Sequence, residues 1–411
     1  MKRRVPPGLL PRWKWMATGL LFMGLGVILV VFLKMQQQTL KLVHHHQLHH
    51  SPEFSFLPKS SRQQGENSSK NDGNGNKLAF LFIARHSIPL DILWEHFFPE
   101  SQKHKYSVYI HARPGYVYTT ENTQCRSFLN RQLKNSVQVE WGEASMVEAE
   151  RLLLAEALQD PLNQRFILLS DSCIPLYNFD YTYNYVMSSP KSFVDSFLHT
   201  RDDQYNPKMR NVVLREKWRK GSQWFVLIRS HAQAVVSDSS VFAIFQKHCR
   251  KMLLPENWRE IASTNKTHEN HNCIPDEHYI QTLIAVKNKE AEIERRTLTY
   301  SQWEQTKKDK GGRRGWHPMT FNFAAATVET IRAIQDIYKI HYEAEARTDL
   351  CSLEGEAMPC YLFARKFNRA AGFRLLDQVA SYENRVQIAA SSNSRALLSP
   401  LSLICATQAR C

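Results

Sequence analysis

Between Lys77 and Ser170, strand-length apolar runs alternate with helix-forming segments, and that alternation leaves few architectures open. Leu78 to Ala84 reads as a buried strand bounded by Asn76 and Pro89. Tyr106 to Ala112 is a second strand, and Val137 to Trp141 alternates like a third. Ser145-Met146-Val147-Glu148 has the form of a capping box, opening a helix through about Gln159 with Val147, Leu153, Leu154, Ala157 and Leu158 on its apolar face. Arg165 to Ser170 returns to strand pattern before Asp171-Ser172-Cys173-Ile174-Pro175. Strands alternating with helices imply an α/β domain around a mixed, mostly parallel sheet.

The second half continues in the same manner. Gln223 to Arg229 is strand-like, Ser230 to Arg250 reads as one helix, and Tyr279 to Val286 as another. Thr327 to Ala346 is expected to be a long amphipathic helix, its Glu343-Ala344-Glu345 on a solvated face, and Tyr361 to Phe367 a last strand. The pattern then dissolves into Ser/Ala-rich sequence, so the domain is expected over 77–376 and a poorly ordered tail over 377–411.

Upstream, Lys2, Arg3, Arg4, Arg12 and Lys14 precede an uncharged apolar run from Trp15 to Leu33. As a helix that run spans roughly 28 Å, close to a hydrocarbon core. It is too long for a signal-peptide apolar region and ends without a small-residue cleavage site. It therefore reads as one transmembrane anchor (15–33) behind a cytosolic tail (1–14), and the positive-inside bias places the rest across the membrane. Residues 34–76, rich in Gln, His, Ser, Asn and Gly, read as a flexible luminal stalk. This topology gives the lipid bilayer as one partner and makes Asn67 and Asn265 glycosylation acceptors. It also lets the eight cysteines pair in any of about 105 ways. The net charge of +14 would suit nucleic acid in another compartment. Across a membrane, a nucleotide sugar with its diphosphate is the better partner, and nucleic acid is excluded.

Open α/β sheets bind ligands beyond the carboxyl ends of their strands. The candidate positions are Arg85 and His86, Arg113, and Asp171 to Pro175. Dinucleotide-binding, P-loop and serine-hydrolase signatures are absent, as is any Asp-x-Asp that would hold a divalent ion on a diphosphate. A metal centre and a cofactor are therefore not expected.

Seven segments in order, LAFLFIARH, YIHARPG, VEWGEASMVEAE, LLSDSCIPLYNF, GSQWFVLIRSHA, PDEHYIQTL and CYLFARKF, resemble the core-2/I-branching family of β-1,6-N-acetylglucosaminyltransferases, above all its plant-type branch. They cover about Lys77 to Leu376. The resemblance implies a GT-A-type fold and a type II Golgi membrane enzyme. It also implies inverting transfer from a UDP-sugar to a glycan acceptor without a metal. It puts the catalytic base on Glu277, a diphosphate-facing lysine on Lys366 and a disulfide between Cys351 and Cys360. The family's animal members carry an arginine where this chain has Ala357, so Arg365, or the cluster Lys307, Lys308, Lys310, Arg313 and Arg314, is expected to substitute. On the acceptor side the resemblance points to Arg215, Lys217 and Trp218, with Trp303 a second aromatic able to stack on a sugar.

Each of these residues also has a plain reading. Glu277 could be a first-turn glutamate favoured by a helix dipole, with Asp276 as that helix's cap. His278 could orient the base or fill a gap. The two tryptophans could be core residues, and the basic cluster a solvated loop between glycines. N-acetylglucosamine is the first expectation for the donor sugar, with glucuronic acid and xylose as alternatives. A non-catalytic glycan-binding protein is the alternative of another class.

Overall fold

The computed structural model describes residues 75–198, 204–250, 273–303, 318–353 and 355–377. The anchor, almost all of the stalk, both sequons, Arg313, Arg314, their neighbouring lysines and all but the first residue of the tail lie outside the described residues. Along the chain come β1 (Lys77–Ile83), α1 (Asp91–Phe97), β2 (Tyr106–His111), α2 (Ala144–Ala157), β3 (Asn163–Ser170) and β4 (Ile174–Pro175). Next are α3 (Phe179–Ser188), β5 (Ser192–Phe193), β6 (Phe197–Leu198), β7 (Arg219–Lys220), β8 (Val226–Ile228), α4 (Arg229–Ser237) and α5 (Ser240–His248). The last part holds α6 (Tyr279–Val286), β9 (Ile293–Glu294), β10 (Thr299–Ser301), α7 (Val328–Gln335), β11 (Lys339–Tyr342), β12 (Arg347–Leu350), β13 (Ser352–Leu353), β14 (Glu356–Ala357) and β15 (Phe363–Arg365).

A six-stranded sheet in the order β2-β1-β3-β8-β5-β9 forms the centre. β1 runs parallel to β2, from Leu78 opposite Tyr106 to Ile83 opposite His111, and parallel to β3 on its other side. β8 is antiparallel to both β3 and β5, and β5 is parallel to β9. The sheet is thus mixed and mostly parallel. β1 is buried from Leu78 to Phe82 because both faces are covered. The alternation of strand side chains sends Phe80 and Phe82 into an aromatic layer with Trp94, Phe97, Phe98 and Phe128. Ala79 and Leu81 face the other layer, where Val147, Leu153 and Leu154 of α2 meet α4, α5 and α6. A smaller sheet, β10-β15-β4, places the end of β15 beside the ends of the central strands.

Four expected elements differ. Val137 to Trp141 is irregular, its Val137 N–H donated to His111 Nε2 at 3.1 Å instead of to a strand. The Ser145–Glu148 capping box does not form: α2 begins at Ala144, and the Ser145 hydroxyl accepts the Glu140 amide at 3.0 Å. The helix expected over 230–250 is two helices, because Asp238 ends α4 and its carboxylate accepts the Val241 and Phe242 amides that start α5. The long helix expected from Thr327 stops at Gln335. Ile337 and Tyr338 give their carbonyls to Cys360 and Cys351, and the chain continues as the β11–β12 hairpin. Within that hairpin Glu345 is no solvated helix residue but bonds Arg295 and Arg347.

Candidate active site

The carboxyl ends of β1, β2, β3 and β15 open into one cavity of about 1020 Å³, the size expected of a small-molecule site. Arg85 and His86 follow β1, Arg113 follows β2, Asp171 and Ser172 follow β3, and Arg365 and Lys366 come from β15 and the residue after it. Backbone bonds fasten these loops together: the Asp171 amide donates to the Ile83 carbonyl, and the Arg113 amide to the Arg85 carbonyl. Arg113 also meets His86 Nε2 at 3.0 Å. Among the described residues, four cations thus line the cavity against one carboxylate, Asp171. Burial raises the Asp171 pKa, and Arg365, Arg85 and Lys366 oppose that rise. Burial lowers the Lys366 pKa, and the neighbouring Arg365 charge lowers it further.

Arg365 lies deeper, its guanidinium 4.4 Å from the Trp224 ring centre. Burial lowers its pKa, while Cys173, Asp171 and Asp276 favour its charge. Two tryptophans present rings to the cavity with much of their surface exposed, Trp303 at 55% and Trp141 at 42%. Trp303 was expected. Trp141 was not, since its segment reads as a strand, and only the irregular path after Val137 brings it to the rim.

Glu277 ends a short turn, Pro275–Glu277, that leads into α6. Proline suits the first position of such a turn, where no amide partner is needed. The Glu277 carboxylate is half-buried and paired with Lys220 Nζ at 3.1 Å, and its carbonyl accepts the Gly221 amide at 3.0 Å. It does not itself line the cavity; Gln223, Trp224 and Arg365 form the adjoining wall. Asp276 is no helix cap, since α6 has no side-chain cap. Instead it is buried, and burial, followed by the Glu277 charge, pushes its pKa up to about 7 against the pull of Arg365. Sequence reasoning missed Lys220, and it missed Glu150 of α2, which is fully buried and accepts a bond from Gln223.

The remaining expected residues separate. Trp218 is a core residue, 1% exposed, stacked between Phe245 and His278. No sugar can reach its face, so the acceptor role expected of it is corrected. His278 accordingly fills the core, its Nδ1 2.7 Å from the Arg219 carbonyl oxygen. Arg215 and Lys217 do not line the cavity, and Lys217 Nζ donates to Asn288 at 2.7 Å. Ala357 is exposed on β14 and does not line the cavity either. Cys351 and Cys360 are disulfide-bonded as the resemblance implied, and Cys249 pairs with Cys273. Cys125 and Cys173 are buried free thiols.

The chain matches the family model described as "Core-2/I-Branching enzyme" over residues 78–335, more than half its length. It is also similar to a rice protein (Oryza sativa subsp. japonica) named "Glycosyltransferase BC10". The two are 53% identical over 303 residues, which cover 73% of this chain and 76% of the rice protein. With the mixed α/β sheet and the cationic cavity at its strand ends, these matches are decisive: the chain belongs to the core-2/I-branching family of glycosyltransferases.

Proposed function

We propose that this protein is a type II Golgi membrane enzyme with a GT-A-type fold. In this reading it transfers a sugar, N-acetylglucosamine first among the candidates, from a UDP-sugar to a glycan acceptor. The reaction inverts the anomeric carbon and uses no metal. The observation that carries the reading is the cavity itself, where Arg85, Arg113, Arg365 and Lys366 face, among the described residues, a single carboxylate at the ends of the strands. Preorganised cations of this kind stabilise the charge that develops on a departing diphosphate. Lys366 and Arg365 hold the donor diphosphate, and Arg85 and Arg113 on the facing loops complete the cationic wall. Trp303 or Trp141 offers a ring to a sugar or a base. Glu277, held by Lys220 next to the wall formed by Gln223 and Arg365, takes the acceptor hydroxyl proton as the glycosidic bond forms.

The test is a panel of UDP-sugars offered to the full chain with a glycan library, with and without a chelator. Transfer from one UDP-sugar, unaffected by the chelator, is expected. Activity abolished by chelation and restored by manganese would overturn the metal-free part. UDP binding with no transfer from any donor would favour a glycan-binding protein.

A further inference from the structure

Glu150 sits on the apolar face of α2, where it is 0% exposed. Its Oε1 accepts from Gln223 Nε2 at 2.9 Å, and Gln223 lines the cavity. Its Oε2 has no hydrogen-bond partner among the described residues, and neither does Oδ1 of Asp276. Asp276 lies on the Pro275–Glu277 turn, which packs on α2, and is 6% exposed. Each of these buried carboxyl oxygens without a partner among the described residues carries a desolvation cost of ~1–3 kcal/mol, and a proton on the Glu150 carboxyl would remove the larger cost of a buried, unpaired charge.

The charges around the pair decide where that proton rests. Asp276 feels Glu277 and the cation Arg365, and Glu277 is paired with Lys220. Glu150 feels the Asp276 charge and the Gln223 amide, with no cation among the described residues acting on it. Arg151, the next residue of α2, is committed to the Val235, Val236 and Asp238 carbonyls and the Tyr279 hydroxyl. His231 of α4 is held by Ser192 and Glu292. Among the described residues three carboxyls therefore share two cations, and an ionised carboxylate buried without a cation is the costliest of the possible states. Glu150 is the one without a cation, and burial followed by the Asp276 charge pushes its pKa well upward.

Building on the transferase reading, we propose that Glu150 is a positioning residue for the cavity wall beside the Glu277 turn: a carboxylic acid that keeps its proton at neutral pH and with its Oε1 holds Gln223 in that wall. One buried side chain thereby holds the wall of the donor cavity beside the turn that carries the base. A glutamine would stay neutral and still accept from Gln223. A leucine would lose that bond.

Infrared spectroscopy of the full chain reads the proton without any transfer assay. At about pH 8, where ordinary carboxyls are ionised, wild type should show the carbonyl stretch of a protonated acid, and Glu150→Gln should lack it. Transfer kinetics read the positioning. Glu150→Leu should lower kcat about tenfold with donor KM nearly unchanged, and Glu150→Gln should restore most of that loss. Absence of the band in wild type, or a glutamine variant as impaired as the leucine one, overturns the proposal. A chain that transfers no sugar overturns the transferase reading and Glu150's part in it, while the band still decides the proton.

Discussion

At the scale of single residues, side chains of one chemical type take different roles according to what covers them. Glu277 keeps a half-exposed carboxylate beside a lysine, whereas its neighbour Asp276 is buried and feels that carboxylate as a like charge. Glu277→Gln keeps the shape and removes the basicity, so transfer should fall by at least about 100-fold. UDP binding, measured by calorimetry, should stay near wild type. The tryptophans divide in the same way. Trp218→Ala should cost about 3–5 kcal/mol of stability in denaturant unfolding, because it empties a packed site between Phe245 and His278. Trp303→Ala, on an exposed ring, should leave the unfolding midpoint nearly unchanged and raise a substrate KM several-fold.

Elements are held in place by a few contacts that no substitute can make. β7 passes so close to the chain after β5 that a Cβ on Gly221 would overlap the Asp195 carbonyl oxygen. That approach also brings Lys220 and the Gly221 amide to Glu277. Gly221→Ala must displace backbone, so it should lower both thermal stability and transfer rate, which differential scanning and kinetics would show together. The irregular segment after Val137 depends on His111, whose neutral Nε2 accepts the Val137 amide. Burial pushes the His111 pKa down to about 4. The unfolded chain, with an ordinary histidine near 6.5, therefore takes up the proton first. The stability from this contact is complete above about pH 6.5 and is lost as pH falls towards 4. The melting-temperature advantage of wild type over His111→Gln should accordingly shrink between about pH 7.5 and pH 5. A constant difference would show that the ring stays solvated.

On the scale of the whole molecule, two disulfides among the described residues close loops beside the segments that carry Glu277 and Lys366. Cys249–Cys273 joins the end of α5 to the segment before the Glu277 turn, and Cys351–Cys360 lies just before β15 and Lys366. Each should contribute about 2–4 kcal/mol, chiefly by restricting the unfolded chain. Peptide mapping under non-reducing conditions should recover both linked pairs. Reduction should lower the unfolding midpoint and impair transfer, since both bridges adjoin segments that carry site residues. Recovery of both pairs as alkylatable thiols from native protein would refute the pairing.

β1 was legible in the sequence because burial on both faces writes a continuous apolar run into the chain, and β2 because its buried positions alternate along the strand. β1 and β2 therefore lie within one residue of their expected bounds, while β3 begins two residues before its expected start. The order of seven segments pointed to the family that the comparisons show, and PDEHYIQTL and CYLFARKF singled out Glu277 and Lys366 as candidates. Periodicity pointed to an amphipathic helix from Thr327 to Ala346, but it could not show that Ile337 and Tyr338 bond the segment of the Cys351–Cys360 bridge, where the helix has already ended at Gln335. Nor could it show that Trp218 faces Phe245, or that Asp238 serves the amides beyond it. Glu150 left one trace, a charge spaced with Val147 and Leu154 on an apolar helix face. A helical pattern states which side of a segment avoids water, while the covering groups come from distant parts of the chain. Burial, partner and protonation state are properties of that long-range pairing, so only the tertiary structure decided them.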